Sequence, residues 1–336
     1  MQPNLYPQAA AIFTADTGTF PELALSLFRF QHAHNPVYRQ FCDALHCDPA
    51  KVDSITKIPF LPIQLFKSKI IHTTAFTPQV IFESSGTTGS INSKHGVRFA
   101  GIYEESFRKA FNSFYGDPGN YCIVGLLPSY LERQHSSLVY MVDRLIKDSG
   151  NNHSGFYLYD LQKLHTLLDA NEKKGISTFL IGVTYALLDF AEHFPMALKN
   201  TIVMETGGMK GRREELTREE VHQHLIQQLG INEVHSEYGM TELLSQAYST
   251  GNGRFQTPPW MKIILRAEDD PFELTGTVNQ GKRFISGAIN VIDLANIYSC
   301  AFIATDDAGK LFSDGSFEVI GRLDNSDIRG CGLMIL

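Results

Sequence analysis

Leu161-Gln-Lys-Leu-His-Thr-Leu-Leu-Asp-Ala-Asn-Glu-Lys-Lys174 reads as a helix and Thr178-Phe-Leu-Ile-Gly182 as a short buried strand. Tyr185 to His193 reads as a second helix and Thr201-Ile-Val-Met204 as a second strand. Strands joined through helices of about 10–15 residues imply an α/β fold with a largely parallel sheet. The pattern runs outward on both sides. Upstream, Pro21 to Ala44 reads as helical, with Leu23, Leu27, Phe30 and Phe41 at near-helical spacing. Ile58 to Ile71, with prolines at 59 and 62, reads as an irregular lead-in, and Val80 to Glu83 as a short strand. Glu104 to Phe114 and Ser136 to Lys147 read as helices flanking a buried strand over Tyr121 to Leu127. Downstream come a helix over Arg218 to Leu229 and a strand over Glu233 to Glu237. From about Thr250 the texture changes to short β-like runs, Lys262–Leu265, Ala288–Ile292 and Phe317–Ile320, separated by Gly and Asp turns. The expected organisation is an α/β core over residues 1–250 and a smaller β-rich subdomain over 251–336. The boundary is soft, because no Pro/Ser linker separates the two.

Composition narrows the function classes. The 336 residues, 43% hydrophobic and 19% charged, suffice for one large or two modest domains with a sizeable core. A net charge of −7 argues against nucleic acid or an anionic membrane as the main partner. The N-terminus lacks the basic start and apolar run of a signal peptide, and no stretch is long and apolar enough for a membrane span. The five cysteines, Cys42, Cys47, Cys122, Cys300 and Cys331, show no C-x-x-C spacing, which fits a reducing cytoplasm. A homo-oligomer stays open.

Ile81-Phe-Glu-Ser-Ser-Gly-Thr-Thr-Gly-Ser90 is the sharpest local feature. Gly86 and Gly89 permit backbone shapes that turn N–H groups inward into an anion cradle. Ser84, Ser85, Thr87, Thr88 and Ser90 can donate to phosphate oxygens, and Lys94 lies close enough to add charge. Taken alone, the same composition describes a solvated turn. It matches neither G-x-x-x-x-G-K-[ST] nor G-x-G-x-x-G, which disfavours P-loop NTPases and nicotinamide dehydrogenases.

Three further motifs follow in order: Tyr238-Gly-Met-Thr-Glu242, Thr305-Asp-Asp307, and Gly321-Arg322 with Asp324. With the loop, they resemble the adenylate-forming superfamily of acyl-CoA ligases and luciferase-like enzymes. One such motif would be weak; four in the family's order are a strong signal. The resemblance implies the fold of that superfamily's N-terminal domain, with parallel sheets flanked by helices, and activation of a carboxylic acid with ATP and Mg²⁺. It implies that Ser84, Ser85, Gly86, Thr87, Thr88 and Gly89 hold phosphate, that Thr241 contacts the α-phosphate, and that Glu242 holds Mg²⁺, a hard cation that prefers oxygen ligands. Tyr238, with Gly239 beside it, would stack on adenine. Asp307 would take the ribose hydroxyls, Arg322 would add charge at the ribose–phosphate end, and Gly207 and Gly208 would form a turn beside the adenine. Asp306 replaces the family's usual Gly, so it could share the ribose contact.

Two segments point to a subfamily. Lys57-Ile-Pro-Phe-Leu-Pro-Ile-Gln-Leu-Phe-Lys67 and Ile328-Arg-Gly-Cys-Gly-Leu-Met334 are similar to LuxE-type acyl-protein synthetases. That resemblance implies a fatty acid as substrate, Cys331 as the thiol that takes the acyl group, and a reductase or carrier protein as acceptor. It also agrees with a chain lacking the lysine-bearing C-terminal domain that usually follows the G-R-x-D segment. Independently, a thiolate is a good nucleophile toward a mixed anhydride, Gly330 and Gly332 leave Cys331 unhindered, and Arg329 favours the thiolate. The rival readings are transfer to free coenzyme A, a catalytically silent nucleotide- or acyl-binding protein, and, for Cys331, an inert apolar position. His135, in Gln134-His-Ser-Ser137, could line an acyl pocket or be structural.

Overall fold

A computed structural model describes residues 9–84, 91–128, 132–207, 216–268, 270, 272–275 and 282–323. Helices α1 (Phe20–His34) and α2 (Pro36–Ala44) open the chain, where the spacing predicted one helical stretch. Asn35 separates them in an extended conformation, and Pro36 starts α2 where its missing N–H costs nothing. The Asn35 side chain caps α2 by accepting from the Tyr38 N–H at 3.0 Å.

The lead-in is more ordered than its prolines suggested. It forms β1 (Leu61–Pro62) and α3 (Leu65–Ser68). Then come a hairpin of β2 (Val80–Glu83) and β3 (Lys94–Val97), helix α4 (Ala100–Tyr115) and strand β4 (Cys122–Leu126). Helix α5 (Ser137–Asp148), strand β5 (Gly155–Phe156), helix α6 (Leu161–Lys174), strand β6 (Thr178–Gly182), helix α7 (Thr184–His193) and strand β7 (Thr201–Glu205) follow. Helix α8 (Arg218–Leu229) leads into β8 (His235–Tyr238) and β9 (Ala247–Ser249). The chain then runs through β10 (Met261–Arg266), β11 (Phe284–Asp293), β12 (Phe302–Phe312) and β13 (Phe317–Arg322).

Strands β4 to β9 form one sheet in the order β5-β4-β6-β7-β8-β9, parallel except for the final β8–β9 pair. Both faces of β4 and β6 are buried, as the unbroken apolar runs required. The second sheet, β10–β11–β12 with β13 on β12, is antiparallel, and β1 joins it parallel to β12 through Leu61↔Ile303 and Pro62↔Ala304. Gln31 of α1 and Asn35, the residue between α1 and α2, bind this sheet region as well. Gln31 donates to the Asn296 and Ile297 carbonyls, and Asn35 donates to the Ser299 carbonyl.

Strand β12 is the main departure from the sequence reading. Asp306-Asp307-Ala308-Gly309 has the composition of a turn, yet it lies in mid-strand. Two features make that possible. A register shift between Ala308 and Gly309 bends the strand, and a Cβ at Gly309 would meet the Glu318 carbonyl oxygen at 2.5 Å. A second shift, between Ala288 and Asn290 of β11, leaves the Ile289 carbonyl outside the ladder. The Arg266 guanidinium and the Thr305 hydroxyl donate to that oxygen, and Arg266 also reaches Asn290 Oδ1 and the Thr305 carbonyl. Arg266 is buried, so these bonds replace the water it loses.

Candidate active site

The site lies where the C-terminal end of β8 meets the middle of β12. Ligands of open α/β sheets bind in such crevices, beyond the carboxyl ends of parallel strands. Tyr238 closes β8, and its ring packs on Phe255 and Phe317. Its hydroxyl donates to Asp307 Oδ2 at 2.9 Å, so the two sheets are joined through two of the expected site residues. Arg322 stands opposite Asp307 in the β12–β13 register, with its Nε 4.0 Å from Asp307 Oδ1. Burial pushes the Asp307 carboxyl up, while Tyr238 and Arg322 pull it down. Asp306 turns elsewhere and accepts from Gln64.

Glu242 follows β8 and is buried. Burial raises its carboxyl pKa, opposed by a hydrogen bond from Ser93 and by the charges of Arg322 and Lys67. Ser93 sits at the base of the Ser/Gly/Thr loop. There the Ser84 N–H donates to the Ser93 carbonyl at 3.1 Å, and the Ser93 N–H donates to Ser84 Oγ at 2.9 Å. Lys94 flanks the same base and pairs with Glu83 at 3.3 Å. Ser84 and Lys94 therefore bracket the loop, while Ser85, Gly86, Thr87, Thr88 and Gly89 lie outside the described residues. Gly208, Asp324 and Cys331 lie outside them too. Gly207 is described: its φ is +74°, a region that favours glycine, and its N–H donates to Glu205 Oε1 at 2.7 Å. At Gly239 a Cβ would meet Glu237 Oε1 at 2.3 Å, so a larger residue there would displace the Glu237 carboxyl.

Tyr238, Glu242, Asp307 and Arg322, drawn from positions up to 84 residues apart, thus share one locus with the base of the loop. A single carboxylate such as Glu242 makes a poor metal cage by itself. Among the described residues there is no group of three or more His, Cys, Asp or Glu arranged for a metal. One carboxylate does fit a cation that takes its remaining ligands from phosphate and water, the habit of Mg²⁺. His135 is exposed and its ring nitrogen faces the Ile81 carbonyl, bracing β2. Cys42, Cys122 and Cys300 are buried free thiols, and Cys47 is half-buried. Among the described residues no helix is long and apolar enough to cross a membrane.

Sequence reasoning missed three polar residues that shape this locus. Asp293, at the end of β11, takes hydrogen bonds from the Leu244 and Ser245 N–H groups at 2.7 and 3.0 Å and from Ser245 Oγ and the Ala295 N–H. Burial still pushes Asp293 up to about 6. Asn296 Nδ2 donates to the Glu242 carbonyl at 2.7 Å, and the His95 ring bonds the Thr241 carbonyl through Nδ1 at 2.8 Å. Burial lowers His95 to about 4, so its ring is neutral. The available signal was polar residues inside an apolar run, Asn290, Asp293 and Asn296 within Ile289–Ile297, since such groups are buried only with partners.

No protein-family model matches the chain, and no curated protein matches it. Solved structures do. ATP-bound MatB from Rhodopseudomonas palustris superposes with a TM-score of 0.54 at 14% identity, over 76% of this chain and 51% of MatB. The ATP-bound RpMatB-BxBclM chimera B3 superposes with a TM-score of 0.52 at 15% identity, over 74% of this chain and 49% of the chimera. The chain therefore spans about half the length of the structures it matches. The α/β architecture that the sequence reading implied is the fold this chain shares with these structures.

Proposed function

We propose that the protein activates a carboxylic acid with ATP, forming an acyl-adenylate. The observation that carries this reading is the meeting of Tyr238, Asp307, Arg322 and Glu242 beside the base of the Ser/Gly/Thr loop, on a fold shared with an ATP-bound protein. In this reading Asp307, held by the Tyr238 hydroxyl, accepts from the ribose hydroxyls, and the Tyr238 ring flanks the adenine. Residues Ser84 to Gly89 and Lys94 enclose the outer phosphates, and Thr241 borders the α-phosphate. Glu242 would hold Mg²⁺, which neutralises phosphate charge when bound. The substrate carboxylate oxygen attacks the α-phosphorus, an O–P bond forms, and pyrophosphate leaves. The chain's part is to align the two reactants and stabilise the charge that develops.

In a second half-reaction the Cys331 thiolate attacks the acyl carbon. A C–S bond forms, AMP leaves, and the thiol proton passes to solvent. A reductase or carrier protein then receives the acyl group, as the resemblance to LuxE-type synthetases suggests, with a fatty acid as the substrate class. Pyrophosphate exchange across a panel of acids, followed by intact-protein mass spectrometry, tests both halves. Acid-dependent exchange and one hydroxylamine-labile acyl mass on the wild type, with exchange but no acyl mass on Cys331→Ala, are expected. Acyl-coenzyme A formed by both proteins without self-acylation would transfer the reading to free coenzyme A. Nucleotide binding without exchange for any acid would leave a silent binding protein.

A further inference from the structure

Beside the Glu242 segment lies a small pocket with about 10 Å³ of room for the centre of a water molecule. His95, Asn296 and Ser299 all line it. His95 Nε2, Asn296 Oδ1 and Ser299 Oγ are buried and none makes a well-formed hydrogen bond within the protein, although His95 and Asn296 lie within reach of each other. A buried polar atom left in that state is costly, so three from residues lining one space call for a common partner.

The hydrogen-bond roles of the three atoms follow from their other contacts. His95 Nδ1 faces the Thr241 carbonyl, which can only accept, so Nδ1 carries the hydrogen and Nε2 of the neutral ring is an acceptor. Asn296 Nδ2 donates to the Glu242 carbonyl, and this bond fixes the amide orientation and makes Oδ1 the free acceptor. Asn296 faces the ring, yet two acceptors cannot bond each other. The Ser299 hydroxyl can donate. One water matches this set: it donates twice and accepts once, and the space is the minimum that admits one. Tyr298 and Arg98 also line the pocket, and Arg98 turns its guanidinium onto Phe99, Tyr298 and the Thr74 hydroxyl.

We propose that this pocket holds a single ordered water, donating to His95 Nε2 and Asn296 Oδ1 and accepting from Ser299 Oγ, and that His95 and Asn296 so braced are positioning residues for Glu242. Through their opposite ends they grip the carbonyls of Thr241 and Glu242, two consecutive residues. The water ties β3, which leads out of the Ser/Gly/Thr loop, to the segment after β11. The grip on the backbone fixes the direction of the Glu242 carboxylate, as outer-shell groups fix metal ligands. The metal part rests on the adenylating function proposed above; the water and the grip do not.

The experiment has two arms. A high-resolution crystal structure of the protein should show one water peak within hydrogen-bonding distance of all three atoms. An empty pocket, or a reoriented Asn296 bonded directly to His95, would overturn the proposal. In the second arm, His95→Phe removes both ring nitrogens at similar volume, and Ser299→Ala removes one water ligand and is the milder change if the first fails to fold. Both should speed amide hydrogen exchange at Leu244 and Ser245. Both should also raise the Mg²⁺ concentration that half-saturates pyrophosphate exchange, by about 10-fold or more for His95→Phe and less for Ser299→Ala, with KM for the acid unchanged. Unaltered hydrogen exchange and Mg²⁺ dependence in both variants sink the positioning role. A wild-type protein that holds the water but exchanges no pyrophosphate refutes the adenylating function, and faster hydrogen exchange in the variants then still supports the grip.

Discussion

The parallel sheet offers its site residues at strand ends, whereas the antiparallel sheet offers Asp307 from mid-strand. Tyr238 is the last residue of β8, and Thr241 and Glu242 follow it. Asp307 lies inside β12, between two register shifts and above a buried arginine. A residue just beyond a strand end can change without disturbing a ladder. One in mid-strand depends on the bulges and bonds that keep the strand in place. Glu242 should therefore separate chemistry from stability more cleanly than the residues around Asp307.

The largest effect is expected at Glu242. Glu242→Gln keeps shape and removes charge, and acid-dependent pyrophosphate exchange should fall by about 10²–10³-fold, as for loss of one preorganised electrostatic stabiliser. Thermal stability should stay close to wild type, because burial already disfavours the charged form. Exchange at the wild-type rate would remove Glu242 from the metal role.

Asp307→Ala should weaken nucleotide binding by about 10–150-fold, or roughly 1.5–3 kcal/mol, with less effect on the acid. Because Tyr238 donates to Asp307, Tyr238→Phe should cost less in the Asp307→Ala background than in the wild type. Calorimetric titration of the single and double variants reads this coupling. Strict additivity would mean that the bond does not serve the nucleotide site.

Arg266→Met tests the mid-strand side of the comparison. It leaves the Thr305 carbonyl and Asn290 Oδ1 without their donor, at roughly 1–3 kcal/mol per buried group. Stability and nucleotide affinity should fall together, since Thr305 also bonds the Asp307 N–H. Lost affinity at unchanged denaturation midpoint would argue that Arg266 acts on the nucleotide directly.

The sequence was most legible where structure is local. Leu161–Lys174, Thr178–Gly182 and Arg218–Leu229 have the expected bounds, because crossover helices and fully buried strands announce themselves within a dozen residues. Strand β12 did not, since the bulges and the Gly309 approach that admit Asp306-Asp307 depend on β11, β13 and Arg266. Four ordered motifs singled out Tyr238, Glu242, Asp307 and Arg322, which the structure brings together as a candidate site. The residues that hold them, His95, Asp293 and Asn296, were not legible, because each acts on Thr241 to Ser245 from a distant position in the chain. A pairing of that kind leaves no periodic trace.

The two sheets also differ in how their carboxylates respond to pH. Asp293, on the antiparallel side, is fully buried but has four donors on its oxygens and rises only to about 6. Glu237, in β8 of the parallel side, is raised to about 8 by burial and then by the charge of Glu205. At neutral pH Glu237 is therefore protonated in the folded chain. Its ordinary value is 4.5, so between about 4.5 and 8 the folded state holds a proton that the unfolded state has lost. Stability from this group must then fall as pH rises through that window and level off above it. Glu237→Gln has no proton to lose. Its melting temperature should match the wild type near the acid end and exceed it at the alkaline end, by about 2–4 °C for each kcal/mol recovered. Melting curves of both proteins at several pH values read the difference. A gap that does not widen with pH would mean that Glu237 ionises normally, and that the parallel side of the cleft carries a full negative charge beside Tyr238.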